Sequence, residues 1–418
     1  MNRLARTSVV FVSVLVFSYV ALGYVLGKTS EETAYRPLGV FSEVVQHVQQ
    51  DYVEEPNIQM VMTGALRGLL EQLDVRSSYL SPLEYAEYKK RAENPAKGDV
   101  GAALSKRFGY VAVVSVLPES PAHRAGLRYG DLLEAIGVFT TREMSVGQAQ
   151  VLLAGEPGTG VKISVVRPGR GDAQEVELIR ATLAPPRILA ERIENNVAYL
   201  RLPALTAGKT AEVKEKLARL EHEGARNLVL DLRDCAFGEA SEGIALARLF
   251  LSSGKIATLR GQTVAPQEFA ADPAKESWKH PMTVLISGAT SGAAEIVAAA
   301  IAENKRGESF GERTFGAASE QKTIMLDDGA ALILTVANYH SPAGRSIVAE
   351  GVAPSVEVRV PRDESGELGE ENPSAPPPAG ALPSLDDPVL KRALEHLRGA
   401  SLPPRGARQV SSPVRRAA

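Results

Sequence analysis

The first candidate for chemistry is a serine in a glycine-rich stretch, where Ser291 lies within Gly288–Gly292. A nucleophile elbow has the spacing Gly-x-Ser-x-Gly, and here Gly292 follows Ser291 directly, so the spacing does not match. A serine nucleophile also needs a base, and the six histidines are scattered along the chain without any close pairing. Residue types and spacing alone therefore predict no serine–histidine–aspartate site.

Metal, disulfide and nucleic-acid chemistry are disfavoured by composition. The only cysteine is Cys235, so the chain forms no internal disulfide and no cysteine-rich zinc site, and no HExxH motif is present. We expect no metal and no cofactor. Lys and Arg total 47 against 50 Asp and Glu, a net charge of −3, which does not favour nucleic acid. The length of 418 residues predicts two or three domains.

The N-terminal segment predicts export across a membrane. Arg3 and Arg6 precede Val9–Gly27, a run of 19 residues without a charge. As a helix this run spans roughly 28 Å, about the thickness of the hydrocarbon core of a bilayer. We interpret residues 1–28 as an uncleaved anchor in the inner membrane that leaves the rest facing the periplasm. A cleaved signal peptide with its site near Ala21–Gly23 is the alternative.

Hydrophobic periodicity divides the remaining chain into four segments. Residues 38–95 are predicted to be helical, and residues 96–183 to be mainly short strands with one clear helix. Residues 184–362 alternate strands with helices, which predicts a mixed α/β core with parallel strands. Residues 363–418 combine an acidic, proline-rich linker with a short helix over 387–398 and a basic tail.

Five groups of short motifs follow one another along the chain. They are Leu73-Asp74 with Ser77–Pro82, Ser120-Pro121-Ala122 with Ala125-Gly126-Leu127 and Gly130-Asp131, Asp231-Leu232-Arg233, Thr314-Phe315-Gly316, and Tyr339–Ile347. In this order they resemble the signatures of the carboxy-terminal processing, or tail-specific, serine peptidases, over about residues 38–360 and the short helix near 387–398. The resemblance implies a multidomain α+β fold with an N-terminal helical segment, a β-rich PDZ domain with helices, and a mixed α/β peptidase core of the crotonase or Clp type.

The catalytic positions that this resemblance implies are altered. The family's serine nucleophile aligns with Gly292, placed by Glu295 in the following helix, and its lysine base aligns with Ala317. Gln321 matches a family glutamine that does no chemistry alone. Because hydrogen and methyl side chains supply neither a nucleophile nor a proton acceptor, we expect no catalytic residue at these positions. Ser291 is the fallback nucleophile if the register slips by one residue, although it is also a candidate to cap the helix.

The oxyanion loop implied by the resemblance has changed as well. Asp234–Gly238 stands where the family has Asn-Asn-Pro-Gly-Gly, so Phe237 replaces a glycine and Gly238 remains. Phe237 lacks the freedom of glycine at positive φ. We expect its ring to crowd the substrate cleft.

The predicted PDZ domain supplies a candidate groove for peptides. In the loop 97–102, backbone N–H groups are expected to receive a peptide's terminal carboxylate, and the helix Ser145–Ala154 to form the other wall. Asp99 places a negative charge beside the carboxylate site, which is electrostatically unfavourable. The candidate peptide-binding residues are Gly98, Val100, Gly101, Ala102, Val146, Gln150 and Leu153.

Three interpretations of function remain open. In the first, the chain is an exported, membrane-anchored peptidase homologue that binds peptide C-termini, unfolded tails or protein partners without cleaving them. In the second, it is an active serine endopeptidase that uses Ser291. In the third, it is a structural subunit that assembles with an active relative or with a second copy of itself. The missing lysine counts most directly against the second.

Overall fold

A computed structural model describes residues 14–19, 37–94, 97–142, 144–167, 172–194, 196–359 and 382–400. Most of the predicted anchor Val9–Gly27, most of the proline-rich linker and the basic tail lie outside these residues. Within them, no helix combines the length and the apolar character needed to cross a membrane. The chain divides into two compact units, residues 1–68 and residues 69–418.

The first unit contains helix α1, residues 37–51, and most of α2, Ile58–Glu71. The second unit continues with strand β1, Ser78–Leu80, and helix α3, Pro82–Glu93. Proline occupies the first helical position of α3, where a backbone N–H is not needed. Because β1 is a strand, the prediction of helix throughout 38–95 is wrong at this point: β1 pairs antiparallel with a distant strand, which local periodicity does not reveal.

The segment predicted to be a PDZ domain forms a six-stranded antiparallel sheet with two helices. Its elements are β2 Ala102–Arg107, β3 Tyr110–Val116, α4 Pro121–Arg124, β4 Leu132–Ile136, β5 Phe139–Thr140, α5 Val146–Leu153, β6 Gly160–Val166 and β7 Ala173–Ile179. The sheet order is β2-β3-β4-β6-β7, with β5 beside β4. The predicted helix is confirmed, since the Ser145 hydroxyl caps α5 by accepting from the N–H of Gln148 at 3.1 Å.

The following segment contains the main six-stranded sheet, in the order β19-β16-β15-β11-β9-β8. Its strands are β8 Leu189–Glu194, β9 Val197–Arg201, β11 Asn227–Asp231, β15 Met282–Ile286, β16 Glu308–Gly311 and β19 Val356–Glu357. All neighbours pair in parallel except β8 with β9. This confirms the prediction of a mixed α/β core with parallel pairing.

Two smaller sets of strands and four helices complete the core. A second sheet has the order β1-β18-β13-β14, with β17 beside β18, and a short parallel pair joins β10 to β12. These elements are β10 Ala204–Leu205, α6 Lys209–His222, β12 Phe237–Gly238, α7 Ala240–Arg248, β13 Lys255–Arg260, β14 Gln267–Ala270, α8 Ala293–Glu303, β17 Ser319–Met325, β18 Ala331–His340 and α9 Pro388–Ala400.

The main sheet is buried on both faces, because alternate residues of its strands pack in different clusters. Ala198 and Leu200 of β9 belong to the cluster that contains α6, α7 and α8. Val197 and Tyr199 of the same strand belong to the cluster that contains α9. The sheet is therefore a middle layer between helices.

The carboxyl ends of β11 and β15 lie side by side, since these strands pair in parallel from Leu228 opposite Met282 to Asp231 opposite Leu285. The loops that follow them carry the predicted oxyanion segment and the predicted nucleophile position. The edge of an open parallel sheet beyond the carboxyl ends of its strands is where α/β proteins place their ligands. The topology thus brings the two predicted parts of the site together.

Candidate active site

Gly292 is the N-cap of α8 and stands in a strained backbone conformation. Its φ is 61° and its ψ is −118°, a region that costs residues with a side chain about 1–3 kcal/mol. A Cβ atom added at Gly292 would meet no other atom within 4 Å. The chain therefore keeps a sharp strand-to-helix turn of the kind that presents nucleophiles, with open space where the side chain would point.

We expect Gly292→Ser to lower the free energy of unfolding by about 1–3 kcal/mol, because the space is free but the backbone is strained. Urea denaturation followed by the fluorescence of Trp278, the single tryptophan and a buried core residue, measures this change. The control is Gly64→Ser in α2, where a Cβ also meets nothing within 4 Å and φ is not positive. Equal stability of the two variants would contradict the prediction.

The Glu295 carboxylate holds the segments of the site together from inside the core. One oxygen, Oε2, accepts from the N–H groups of Gly292 at 2.9 Å and Ala317 at 2.8 Å. The other, Oε1, accepts from the Thr314 hydroxyl at 2.5 Å and the Gly316 N–H at 2.6 Å. Burial raises the pKa of Glu295 above its usual range, while these donors act to lower it. The predicted nucleophile and base positions thus bind the same oxygen atom.

Ala317 is buried, and a cation from another segment lies against it. The Arg76 guanidinium donates to the Ala317 carbonyl at 2.5 Å and more weakly to the Gln321 amide oxygen at 3.5 Å. In return the Gln321 amide donates to the Arg76 carbonyl at 2.8 Å. Gln321 therefore orients Arg76, whose guanidinium contacts the backbone of Ala317, the residue aligned with the family's lysine.

Burial lowers the pKa of Arg76, and the carboxylates of Asp74, Glu295 and Glu320 oppose this shift. A guanidinium stays protonated in proteins and cannot accept a proton as a base. Sequence reasoning missed Arg76 as a part of the site. One signal in the sequence could have indicated it. Arg76 lies between Leu73-Asp74 and Ser77, at the position where the family motif Leu-Asp-Pro-His-Ser has its histidine.

The oxyanion segment differs from the expectation in one respect. Phe237 and Gly238 form the two-residue strand β12 beside β10, and the positive φ values fall on Asp234 at 62° and Gly238 at 133°. Phe237 is half-buried and its φ is not positive. The expected conflict between its side chain and a positive φ is therefore wrong. Glycine is required at Gly238 instead, since a Cβ there would lie 2.2 Å from the Leu205 carbonyl oxygen.

Ser291 lies beside Gly292 with no base at hand. Only 7% of its surface is exposed, and its N–H donates to the Cys235 carbonyl at 3.0 Å. The N-cap of α8 is Gly292, so the expectation that Ser291 caps the helix is wrong. Across the part of the chain that the structure describes, no hydrogen bond joins Ser291 to a lysine or a histidine. Lys322 is exposed on β17, and Lys305 follows the far end of α8, roughly 16 Å away.

The other titratable groups do not complete a catalytic set. Burial raises the pKa of the Cys235 thiol above its usual range, so the thiol stays protonated and unreactive. His280 pairs with Glu221 at 2.8 Å, and His340 contacts its own strand at the Asn338 carbonyl at 3.1 Å. The described residues contain no cluster of three or more His, Cys, Asp or Glu side chains suited to a metal ion.

The predicted peptide-binding residues lie around β2 and α5, which contact each other. Gln150 is exposed and Val146 is half-buried, whereas Leu153 packs in the core of the domain. In the loop before β2, Val100 is also a core residue, and Gly98, Gly101 and Ala102 follow the backbone turn into the strand. That these residues bind a peptide stays a prediction.

The PDZ-like sheet lies directly against the loops of the site. The Ser115 hydroxyl on β3 donates to the Asp234 carbonyl at 2.5 Å. The Tyr129 ring packs on Gly288, where a Cβ would lie 2.8 Å from it. The oxyanion segment therefore contacts strand β3 of this domain, and the loop before Gly292 contacts the turn that precedes β4.

Comparison with known proteins agrees with this architecture. Residues 196–358 match the model of peptidase family S41, and residues 113–167 match the PDZ domain. The chain is 32% identical over 298 residues to a carboxyl-terminal-processing protease of Picosynechococcus sp., covering 70% of this chain and 70% of that protein.

Two further likenesses extend over most of the chain. The carboxy-terminal processing protease CtpA of Bacillus subtilis is 27% identical over 338 residues, which are 81% of this chain and 72% of that protein. The solved structure of a photosystem II D1 C-terminal processing protease superimposes with a TM-score of 0.64 at 25% identity, covering 76% of this chain and 92% of that one. With a PDZ domain, a parallel α/β core and these relatives, the chain belongs to the carboxy-terminal processing proteases of peptidase family S41.

Proposed function

We propose that this chain is a non-hydrolysing member of its family, a pseudopeptidase that binds extended polypeptide and releases it intact. The observation that carries the proposal concerns the Glu295 carboxylate. One of its two oxygens, Oε2, accepts hydrogen bonds from the N–H groups of both Gly292 and Ala317. The backbone that would present a nucleophile and a base is in place, but the two positions, Gly292 and Ala317, carry only a hydrogen atom and a methyl group. Binding without bond cleavage follows when ground-state contacts remain and transition-state contacts are gone.

Arg76 supports the same conclusion. A lysine base must lose its proton near neutral pH to activate a serine, whereas the guanidinium that bonds the Ala317 carbonyl keeps its proton. The site thus has a permanent cation next to Ala317, and that cation cannot act as a proton acceptor. Activity through Ser291 would need a base that its surroundings do not supply.

We expect the full-length protein, incubated with unfolded protein and with apolar-tailed peptides, to give no cleavage above a buffer control. The readout is mass spectrometry of the products, and an active family member serves as the positive control. Turnover that disappears in Ser291→Ala would establish a relocated nucleophile and refute the proposal. Turnover that persists in Ser291→Ala would point to a contaminating protease, which repurification of the protein removes.

The proposal places the protein outside the cytoplasm, anchored by Val9–Gly27 with residues 29–418 facing the periplasm. The support is the arrangement of Arg3 and Arg6 before an uncharged run, since positive residues stay on the cytoplasmic side. We expect the protein to sediment with membranes and its mature N-terminus to begin at Met1 or Asn2. Terminal sequencing that begins near Tyr24 would show a cleaved signal peptide instead.

A structural role in an assembly is the second candidate. Apolar side chains of α1, including Phe41 and Val44, are exposed, which suits a helix that packs on an active relative or on a second copy of this chain. Sedimentation of the full-length protein in detergent, alone and with an active relative, tests this role. A monomer under both conditions would eliminate it.

A further inference from the structure

In the loop before β2, several backbone N–H groups already donate hydrogen bonds to other groups of the chain. Gly98 and Gly155 exchange two backbone hydrogen bonds, at 2.9 and 3.0 Å, and Asp99 and Ala181 exchange two more, at 2.9 and 3.1 Å. The N–H of Gly101 donates to Oδ1 of the Asp99 side chain at 2.7 Å. Three N–H groups of the loop predicted to receive a peptide's terminal carboxylate are therefore bound within the chain.

The backbone fixes this arrangement. Gly101 has φ +78°, and a Cβ there would lie 2.4 Å from the Ser120 Cβ. The carbonyls of Val100 and Gly101 accept from the N–H groups of Ala122 and Leu117, at 2.9 and 2.8 Å. The loop is thus held on both sides, and the half-buried Asp99 carboxylate stays beside the Gly101 N–H.

The groove beside this loop remains open to an added strand. β2 is an edge of its sheet, since β3 is its one partner among the described strands, and α5 contacts β2. An edge strand flanked by a helix is the arrangement to which PDZ domains add an extended peptide, through main-chain hydrogen bonds. The edge of β2 is therefore available for main-chain hydrogen bonds to a peptide, while the Gly101 N–H in the loop before it is already bound to Asp99.

We propose that Asp99 sets the ligand preference of this PDZ domain: its carboxylate takes the place of a peptide's own, so the groove accepts an internal extended segment and disfavours a free C-terminus. A free terminal carboxylate would have to displace Asp99 from Gly101 and would be repelled by its charge. A basic side chain next to the bound segment would be attracted by the same charge. The inference rests on the proposed function in assuming that the chain binds peptides, and it replaces the expected preference for C-termini.

The test uses the full-length protein and one fluorescent decapeptide with three apolar residues at its end, prepared as the free acid and as the carboxamide. Fluorescence anisotropy gives the two dissociation constants. We expect the carboxamide to bind several-fold tighter than the free acid. In Asp99→Ala, which frees the Gly101 N–H and removes the charge, we expect the ratio of the two constants to shift roughly tenfold toward the free acid.

Two further variants separate charge from hydrogen bonding. Asp99→Asn keeps an oxygen for the Gly101 N–H without the charge, so the two peptides should bind almost equally. Glu175→Ala removes an exposed carboxylate from β7, at the opposite edge of the sheet, and should leave the ratio unchanged. Retained binding of the carboxamide by Asp99→Ala shows that its groove is folded.

The inference is overturned if the wild-type protein prefers the free acid, if Asp99→Ala leaves the ratio unchanged, or if neither peptide binds any variant. Cleavage of either peptide during the titration would refute the proposed lack of hydrolysis instead. The ratio of constants would still report on Asp99.

Discussion

Replacing Glu295 with alanine is expected to lower the free energy of unfolding by at least about 3 kcal/mol. The carboxylate is fully buried and satisfies four donors, three of them backbone N–H groups. Without it, the donors of two segments, Gly292 and residues 314–317, stay buried with no acceptor. Each such group costs about 1–3 kcal/mol, although the costs do not add fully. Urea denaturation followed by Trp278 fluorescence measures the loss.

Two controls make this result specific. Glu239→Ala removes an exposed carboxylate at the start of α7 and should change stability by less than about 0.5 kcal/mol. Glu295→Gln keeps the shape but turns an amide NH₂ toward N–H donors, so it should rescue only part of the loss. If Glu295→Ala were as stable as Glu239→Ala, the carboxylate would not be the group that joins Gly292 to Ala317.

We expect a comparable loss, about 3–5 kcal/mol, in Arg233→Met. The Arg233 guanidinium bonds the fully buried Asp231 at 2.7 Å and Asp387, just before α9, at 2.6 Å. The Tyr199 hydroxyl also donates to Asp231, at 2.6 Å. Removing the arginine leaves the buried Asp231 carboxylate without the cation that bonds it, and it frees the start of α9. Urea denaturation again gives the change in the free energy of unfolding.

The double variant Asp231→Leu/Arg233→Met supplies the control, because removing both charges avoids leaving one of them unpaired. It should recover much of the stability lost in Arg233→Met. A double variant that is less stable than Arg233→Met would show that the aliphatic packing of the side chains, and not their charge, is the important contribution.

The same pair predicts a pH dependence. Burial alone would raise the pKa of Asp231, but Arg233, with help from Arg201 and the Tyr199 hydroxyl, holds it below its usual value. A carboxyl whose pKa is lower in the folded state stabilises the fold above its unfolded pKa of about 3.9. That stabilisation is lost as the pH falls through the folded pKa. Arg233→Met should therefore show a smaller loss of stability between pH 4 and pH 2 than the wild-type protein.

The sequence predicted the elements of the core well where one strong pattern decided them. The buried strand Met282–Ile286 and the helix Ala293–Glu303 fit the alternation of strands and helices predicted for residues 184–362, because a continuous apolar run and an alanine-rich run leave few alternatives. β1 was missed because its three residues form a strand only through pairing with β18. Such long-range pairing leaves no mark on local periodicity.

The site could be predicted in part for a similar reason. The proposed loss of the nucleophile and the base concerns residue type, since glycine and alanine stand at positions 292 and 317, and an ordered set of motifs can reveal this. The contact of Arg76 with Ala317 joins residues 241 positions apart, and the role of Glu295 requires the start of α8 and the segment 314–317 to converge on one carboxylate. Neither arrangement is visible before the chain folds.

If the protein lacks hydrolytic activity, as we propose, the backbone conformation at Gly292 also affects how readily evolution could produce that activity. A serine restored there would bring back the strain at φ 61° while Ala317 still offered no base, so the first step would reduce stability without any catalytic benefit. A lysine placed first at the buried Ala317 would add a second cation to a residue whose carbonyl Arg76 already binds, and it would have no serine at position 292 to activate. Each substitution is unfavourable until the other is present. Two simultaneous changes would therefore be needed, which makes a return to serine and lysine at these positions improbable by single steps.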